Sequence, residues 1–129
     1  MGGWYSESEF DLAPLKDILP RTVELGRACI HPDYRNGSLV MLLWTGLVKF
    51  MHAQNLRFMI GCGSIGTADG GHGAAALYHR LKEKYVAPEQ WRVRPLNPFK
   101  WDGIREAEPA ECPALIKGYL KAGAWFCGE

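Results

Sequence analysis

A glutamate and an arginine stand three positions apart in the strand-like stretch at residues 22–30. A buried charge costs several kcal/mol (roughly) unless it is paired or used. Glu24 in such a strand can act as a general base for an amine, directly or through one water. Arg27 can bind a substrate carboxylate, the Glu24 carboxylate, or both. The alternative is a structural ion pair between Glu24 and either Arg27 or Arg21.

The segment after this strand combines a cation, a tight turn and a hydroxyl in Arg35, Asn36, Gly37 and Ser38. Ser38 is a favourable N-cap for an apolar helix from residue 39 to about 54. Free N–H groups at a helix start, beside a cation, bind anions. The segment therefore predicts a cradle for a phosphate, although an ordinary capped helix after an Asn-Gly turn uses the same residues.

A strand, a helix and a second strand position these candidates. Gly26 interrupts the strand at residues 22–30, which predicts a bulge that brings its two charged residues to the same side. The helix at 39–54 is apolar nearly all round, so we expect it to be buried on most faces, and Asn55 suits its end. Residues 56–65 read as a buried parallel strand, which implies a right-handed crossover.

A second group of candidates follows the second strand. Cys62 and Ser64 lie near its end, where ligands bind in open α/β sheets. Cys62 is either a nucleophile that needs a nearby base or an inert buried thiol. Asp69 is a candidate cap for a helix at about 72–86. Tyr78 on that helix can donate a proton to a leaving group, or belong to the core with its hydroxyl satisfied.

Shorter elements make up the remainder of the prediction. We expect an extended segment at residues 4–11 and a short helix at 13–19 that Pro20 ends. We also expect a strand at 91–95, a helix at 113–121 that begins with Pro113, and a final strand at 124–127.

Composition narrows the class of protein. The chain of 129 residues fits a single α/β domain, residues 1–129, with 47% hydrophobic residues. A net charge of +1 gives no electrostatic case for nucleic acid. The four cysteines form no C-x-x-C pair, which favours a reduced cytoplasmic protein without disulfides or a metal site. We expect no signal peptide and no transmembrane segment.

The motifs together resemble the GNAT-type N-acyltransferases. The resemblance rests on Glu24-Leu-Gly-Arg27, on His31-Pro-Asp-Tyr-Arg35 and on Gly61-Cys-Gly-Ser64 after the apolar helix. It extends to Tyr5–Asp11, to Trp91-Arg-Val-Arg-Pro95 and to the stretch 115–125, so it covers almost the whole chain. The narrower likeness is to the haemolysin-like branch that makes ornithine lipids and other N-acyl amino acids. That branch is related to the acyl-homoserine-lactone synthases.

The resemblance implies a mixed sheet flanked by helices, with a splayed pair of strands that receives the acyl-pantetheine arm. The chain looks like a C-terminal portion that lacks the usual N-terminal strands. Glu24 would be the base or water-holder, Arg27 would orient the substrate, and Tyr78 would protonate the departing thiol. The residues assigned to donor binding are Arg35, Asn36, Gly37, Ser38, Cys62 and Ser64.

The implied reaction moves a fatty acyl group from acyl carrier protein to the amine of an amino acid such as ornithine. The family's phosphate loop reads Gln/Arg-x-x-Gly-x-Gly/Ala, but here Ser38 and Val40 stand at the small-residue positions. Val40 would crowd a pyrophosphate, which favours a phosphopantetheine donor with one phosphate over CoA. The side chains that can face an acidic carrier, or merely form a solvated basic surface, are Arg80, Lys82, Lys84, Arg92 and Arg94.

Two alternatives remain open at this point. One is an acetyl-CoA-dependent acetyltransferase of the same fold, and the other is a truncated, non-catalytic module that binds a partner or dimerises. In each case we expect no permanently bound cofactor, with acyl-phosphopantetheine or acyl-CoA as donor substrate. Peripheral membrane contact fits a lipid product, and exposed strand edges favour a homodimer.

Overall fold

The computed structural model describes residues 3–27, 29, 31–34 and 37–129. Within them lie three α-helices, four short strands and several 3₁₀ turns, which confirms the predicted α/β class. The chain divides into two compact units. The first comprises Met1–Tyr5 and Leu15–Cys62, and the second comprises Ser6–Pro14 and Gly63–Glu129. The assignment of residues 1–129 to one domain stays a prediction.

A parallel pair of strands organises the first unit. Strand β2, Thr22–Leu25, runs parallel to β3, Phe58–Gly61, with Glu24 opposite Ile60 in the register. The Arg57 N–H extends the ladder by donating to the Arg21 carbonyl at 2.8 Å. Helix α1, Gly37–Ala53, connects the two strands, so the predicted order of strand, helix and parallel strand is confirmed.

Both strands of this pair are shorter than predicted. β2 ends at Leu25 rather than continuing to residue 30, so the bulge predicted at Gly26 is wrong. The backbone of Arg27 has a φ of 51°, in the left-handed region, and such a residue cannot continue a strand. β3 likewise covers only four residues of the predicted 56–65.

Helix α1 begins earlier than predicted and closes as predicted. It starts at Gly37, so Ser38 lies inside the helix and is not its N-cap. At the other end, Asn55 has a φ of 55°, and the Leu56 N–H donates to the Met51 carbonyl at 2.8 Å. A left-handed residue followed by this hydrogen bond is a Schellman closure, which satisfies carbonyls that the helix end would leave free.

The predicted burial of α1 on most faces is wrong. Met51 is buried, but Met41 and Leu42 are each 65% exposed. The other large apolar side chains of the helix that are exposed are Val40, Leu43, Val48 and Phe50. The physical reason is that strands of four residues cannot cover a helix of 17 residues. No helix among the described residues has the length and apolar character needed to cross a bilayer.

The second unit holds an antiparallel strand pair and two helices. Strand β1, Phe10–Asp11, pairs with β4, Arg94–Pro95. Helices α2, His72–Tyr85, and α3, Ala114–Lys121, agree with the predicted spans to within one residue at each end. The buried hydrophobic residues of this unit are Leu12, Ala74, Ala75, Leu77, Ala87 and Ile116. The described strands thus form two two-stranded sheets, whereas a single mixed sheet was predicted.

Several short elements differ from their predictions. Residues 4–11 contain a 3₁₀ helix, Tyr5–Ser8, before β1. The helix predicted at 13–19 is replaced by the 3₁₀ turns Ala13–Leu15 and Leu19–Arg21, with Pro20 inside the second. Of the strand predicted at 124–127, only a parallel bridge between Phe126 and Val86 forms. Each predicted run is too short for its pattern to distinguish a strand or helix from a turn.

Candidate active site

The Glu24 carboxylate is held in place by a backbone donor. Glu24 occupies the third position of β2 and is half-buried. Its Oε2 atom accepts a hydrogen bond of 2.7 Å from the backbone N–H of Tyr5, the first residue of the 3₁₀ helix Tyr5–Ser8. This N–H donor fixes the orientation of the carboxylate.

Arg27 is not brought into a pair with this carboxylate. Its side chain is exposed, and the described part of the chain has no ion pair between Glu24 and either Arg27 or Arg21. The backbone explains this outcome, because β2 ends at Leu25 and the left-handed conformation of Arg27 turns the chain away from the strand. The structural ion pair that the sequence left open is therefore not formed in the region described.

The predicted phosphate cradle is only partly within the described residues. Arg35 and Asn36 lie outside them. Gly37 is the first residue of α1, and Ser38 is the second and is exposed. The first turn of α1 contains no acidic residue, so the helix supplies no carboxylate of its own to its positive end.

The start of α2 differs, because the chain itself provides an anion there. Asp69 accepts hydrogen bonds from the backbone N–H groups of Gly71, at 2.9 Å, and Gly73, at 2.6 Å. The Gly73 hydrogen bond is the largest cause that lowers the pKa of the Asp69 carboxyl below 3.8. Gly71 itself has a φ of 89°, and a Cβ there would lie 2.9 Å from the Phe99 ring. The N-cap residue of α2 is Gly71, but the Asp69 carboxylate accepts from N–H groups at the helix start as a capping side chain does, and so it fills the anion-binding end of this helix.

Cys62 and Ser64 follow the end of β3, as predicted. Cys62 is a half-buried free thiol that comes directly after Gly61, and Ser64 is exposed. A Cβ at Gly61 would lie 2.7 Å from the Leu25 carbonyl oxygen, so glycine permits the close approach of the two strands here. Among the described residues, no group of His, Cys, Asp or Glu side chains is placed to hold a metal ion.

Tyr78 lies on α2 in an aromatic cluster of the second unit. Its ring is 5.9 Å from Phe126 and 6.1 Å from Trp101, and Lys82 Nζ lies 5.5 Å from the ring centre. Burial first, and then the interaction with the Glu129 carboxylate, raise the pKa of Tyr78 to about 12. The hydroxyl therefore keeps its proton at neutral pH.

The site residues divide between the two units. Glu24, Arg27, Ser38 and Cys62 belong to the first, and Ser64 and Tyr78 to the second. Sequence reasoning missed the Tyr5 N–H that holds Glu24, because every residue except proline offers the same donor. It also missed Glu129 as the partner of Tyr78, since nothing in the pattern relates residues so far apart.

Comparison with known proteins shows what this chain is similar to. An acetyltransferase (GNAT) domain model matches residues 1–45, the part that contains Glu24 and Arg27. The L-ornithine N(alpha)-acyltransferase of Rhodobacter capsulatus is 34% identical over 138 residues, which cover 100% of this chain and 51% of that protein. The chain is a homologue of the L-ornithine N(alpha)-acyltransferases over its whole length, and its residues 1–45 match a GNAT acetyltransferase domain.

Two further acyltransferases of the same name agree with this assignment. The enzyme of Agrobacterium fabrum is 38% identical over 134 residues, covering 96% of this chain and 45% of that protein. The enzyme of Brucella abortus is 34% identical over 139 residues, covering 95% and 47% respectively. This GNAT homologue therefore spans about half the length of the curated relatives it matches. No solved structure gives a significant match.

Proposed function

We propose that the chain is the part of an N-acyltransferase that moves a fatty acyl group from acyl carrier protein to the amine of an amino acid such as ornithine. The single observation that carries this proposal is the name shared by four relatives, each at least 34% identical over at least 95% of the chain. The geometry at Glu24 supports it, because a half-buried strand carboxylate that a backbone N–H orients suits a general base.

The chemistry assigns a role to each proton. The amine nitrogen attacks the thioester carbonyl, a C–N bond forms, and the amine proton passes to Glu24 directly or through one water. A strand N–H stabilises the oxyanion. The C–S bond then breaks, and the pantetheine sulfur takes a proton from the Tyr78 hydroxyl. Arg27 orients the substrate. No covalent intermediate with Cys62 is required.

The pKa of Tyr78 bears on its role as the acid. A phenol with a pKa of about 12 carries its proton at neutral pH, which is the form a proton donor requires, but it is a weaker acid than an ordinary tyrosine. Transfer of its proton to the thiolate therefore needs the pKa of Tyr78 to fall when the donor is bound.

The donor is proposed to be the phosphopantetheine of acyl carrier protein. Val40, at a position where the family keeps a small residue, favours a donor with one phosphate over CoA. On α2, three exposed cations suit an acidic carrier, namely Arg80, Lys82 and Lys84. Gly37 and Ser38, at the first turn of α1, would contribute to holding the phosphate together with Arg35 and Asn36.

The location and partners of the protein are also proposals. The four free cysteines support a reducing compartment, and we propose the cytoplasm. The exposed apolar side chains of α1 support peripheral contact with a membrane or pairing of two copies. Flotation with lipid vesicles and light scattering of the purified chain distinguish these two associations.

The test is a transfer assay with three donors. The purified chain is incubated with L-ornithine and with a fatty acyl carrier protein, the matching fatty acyl-CoA, or acetyl-CoA, and N-acylornithine is measured by mass spectrometry. We expect product with acyl carrier protein, and a loss of about 10²–10⁴-fold in rate for Glu24→Gln. Glu83→Gln, an exposed carboxylate on α2, is the matched control and should retain the rate.

Three results would contradict the proposal in different ways. Faster transfer from acetyl-CoA than from the carrier would identify an acetyltransferase. An unchanged transfer rate in Glu24→Gln would show that Glu24 is not the general base. A folded chain that makes no product from any donor would support a non-catalytic binding module, and circular dichroism establishes whether the chain is folded.

A further inference from the structure

A cleft of about 470 Å³ in the second unit contains charges of both signs. One wall comes from β1, which contains Asp11, and the turn after it. The other wall comes from the segment between Glu89 and Arg94, which also contains Arg92 and ends at the first residue of β4. The volume lies within the range of about 300–1,000 Å³ that is common for small-molecule sites. Two carboxylates and two guanidinium groups therefore line a space large enough for a small polar molecule.

Two of these charged groups are fixed by the backbone. Asp11 Oδ1 accepts a hydrogen bond of 3.0 Å from the Ala13 N–H, and Arg92 Nε donates one of 2.9 Å to the Ala87 carbonyl. Ala87 is fully buried, so the anchor of Arg92 belongs to the core. The Asp11 carboxylate keeps its second oxygen available, and the Arg92 guanidinium keeps its terminal N–H donors available.

The four charges do not neutralise one another. Asp11 stands directly opposite Arg94 in the β1–β4 register, where side chains share one face of the pair. Even so, within the described residues none of the four side chains forms an ion pair. Donors and acceptors of opposite charge in one cleft, two of them oriented by the backbone and none in an ion pair, match a ligand that carries both signs.

We propose that this cleft binds a free amino acid, with its carboxylate on Arg92 and Arg94 and its side-chain ammonium group on Asp11 and Glu89. The inference deepens the proposed function, because the acceptor of that reaction is an amino acid with two amines. It also reassigns Arg92 and Arg94, which the sequence grouped with a basic surface for an acidic carrier. Arginine holds a carboxylate with paired N–H donors, which suits this role better than a point charge does.

The test measures binding separately from turnover. The full chain is titrated calorimetrically with L-ornithine, with 1,4-diaminobutane, which lacks the carboxylate, and with pentanoate, which lacks both amines. We expect ornithine to bind at least about tenfold more tightly than either fragment. Arg94→Gln and Asp11→Asn should each weaken ornithine binding by about tenfold or more, since each removes one charged partner.

A matched control and two folding checks accompany the variants. Arg105→Gln removes an exposed arginine of the second unit, outside the cleft, and should bind ornithine like the parent chain. Asp11→Asn keeps the side-chain oxygen that accepts from Ala13, so the turn is preserved. Circular dichroism and the Tm establish that each variant is folded. Ornithine binding that is equal in the parent, Arg94→Gln and Asp11→Asn overturns the proposal.

Failure of the cleft and failure of the proposed function give different results. If the parent transfers acyl groups but Arg94→Gln leaves both ornithine affinity and the KM for ornithine unchanged, the proposed role of the cleft is wrong and the proposed acyltransferase activity is supported. If the parent binds ornithine, Arg94→Gln does not, and the parent transfers no acyl group from any thioester, the proposed role of the cleft is supported and the proposed acyltransferase activity is wrong.

Discussion

The backbone N–H of Tyr5 donates to the Glu24 carboxylate at 2.7 Å, across 19 positions of sequence. The donor opens a 3₁₀ helix and the acceptor lies inside a parallel strand. The contact makes the N-terminal segment a support for the proposed base. It uses no side chain of Tyr5, so substitutions at this position can separate the role of the backbone from that of the ring.

Tyr5→Pro should release Glu24, because proline has no N–H to donate. Proline is tolerated in the first turn of a helix, so the loss of the donor is the main effect expected. We expect the free energy of unfolding to fall by about 1 kcal/mol and the transfer rate to fall with it. Tyr5→Ala removes the half-exposed ring but keeps the N–H, and should retain more activity. Chemical denaturation and the transfer assay provide the two measurements, and equal behaviour of the two variants would contradict this account.

Gly61→Ala should disturb the end of the parallel pair. The added Cβ would lie 2.7 Å from the Leu25 carbonyl oxygen, a backbone atom that cannot rotate away. A loss of about 1–3 kcal/mol in unfolding free energy is expected from such overpacking. Gly46→Ala is the matched control, since nothing lies within 4 Å of that position in α1. There, alanine should stabilise the helix by about 0.5–1 kcal/mol, so the two substitutions should shift the denaturation midpoint in opposite directions.

Asp69→Asn should lower the Tm and remove an acid-dependent part of the stability. The pKa of Asp69 is lowered in the folded chain, so its contribution is present above pH 3.8 and is lost as the pH falls below it. The difference in Tm between the parent and Asp69→Asn should therefore be largest near neutral pH and shrink in acid. Asp102→Asn, at an exposed carboxyl group, should show no such trend. A constant difference across the acid range would show that the charge of Asp69 does not matter.

Tyr78 should make the chain less stable in alkali. Its pKa is raised from 10.0 to about 12 in the folded chain, so the unfolded chain loses the proton first. The stabilisation is present below pH 10 and is lost as the pH rises from 10 towards 12. Tyr78→Phe cannot ionise and should show a flatter stability profile over this range, whereas exposed Tyr34→Phe should follow the parent. Denaturation curves across alkaline pH measure the difference, and parallel curves for parent and Tyr78→Phe would contradict it.

Local signals in the sequence were sufficient for several elements. Helix α2 follows its apolar period to within one residue, and Asp69 caps it because a carboxylate before a helix has few other local uses. Asn55 ends α1 because asparagine tolerates the left-handed conformation that a closure requires. These features depend on residues that are close in sequence, and so they can be predicted from one sequence.

Features that depend on distant segments could not be predicted in the same way. An apolar pattern shows that the side chains of α1 can be buried, but it does not show how much surface is available to cover them. The strand at residues 22–30 ended early because of the conformation of Arg27, a residue type with no preference for a positive φ. The charged cleft joins Asp11 to residues near 92, and no local pattern relates them.

The outward side chains of α1 also affect how this protein must be studied. Fluorescent dyes such as anilinonaphthalene sulfonate brighten on hydrocarbon surface, which folded proteins ordinarily hide. Met41 and Leu42 offer that surface in the native chain. A dye-based melting curve would thus begin from a bright baseline and understate the transition, and the helical signal in the far ultraviolet would record unfolding more faithfully.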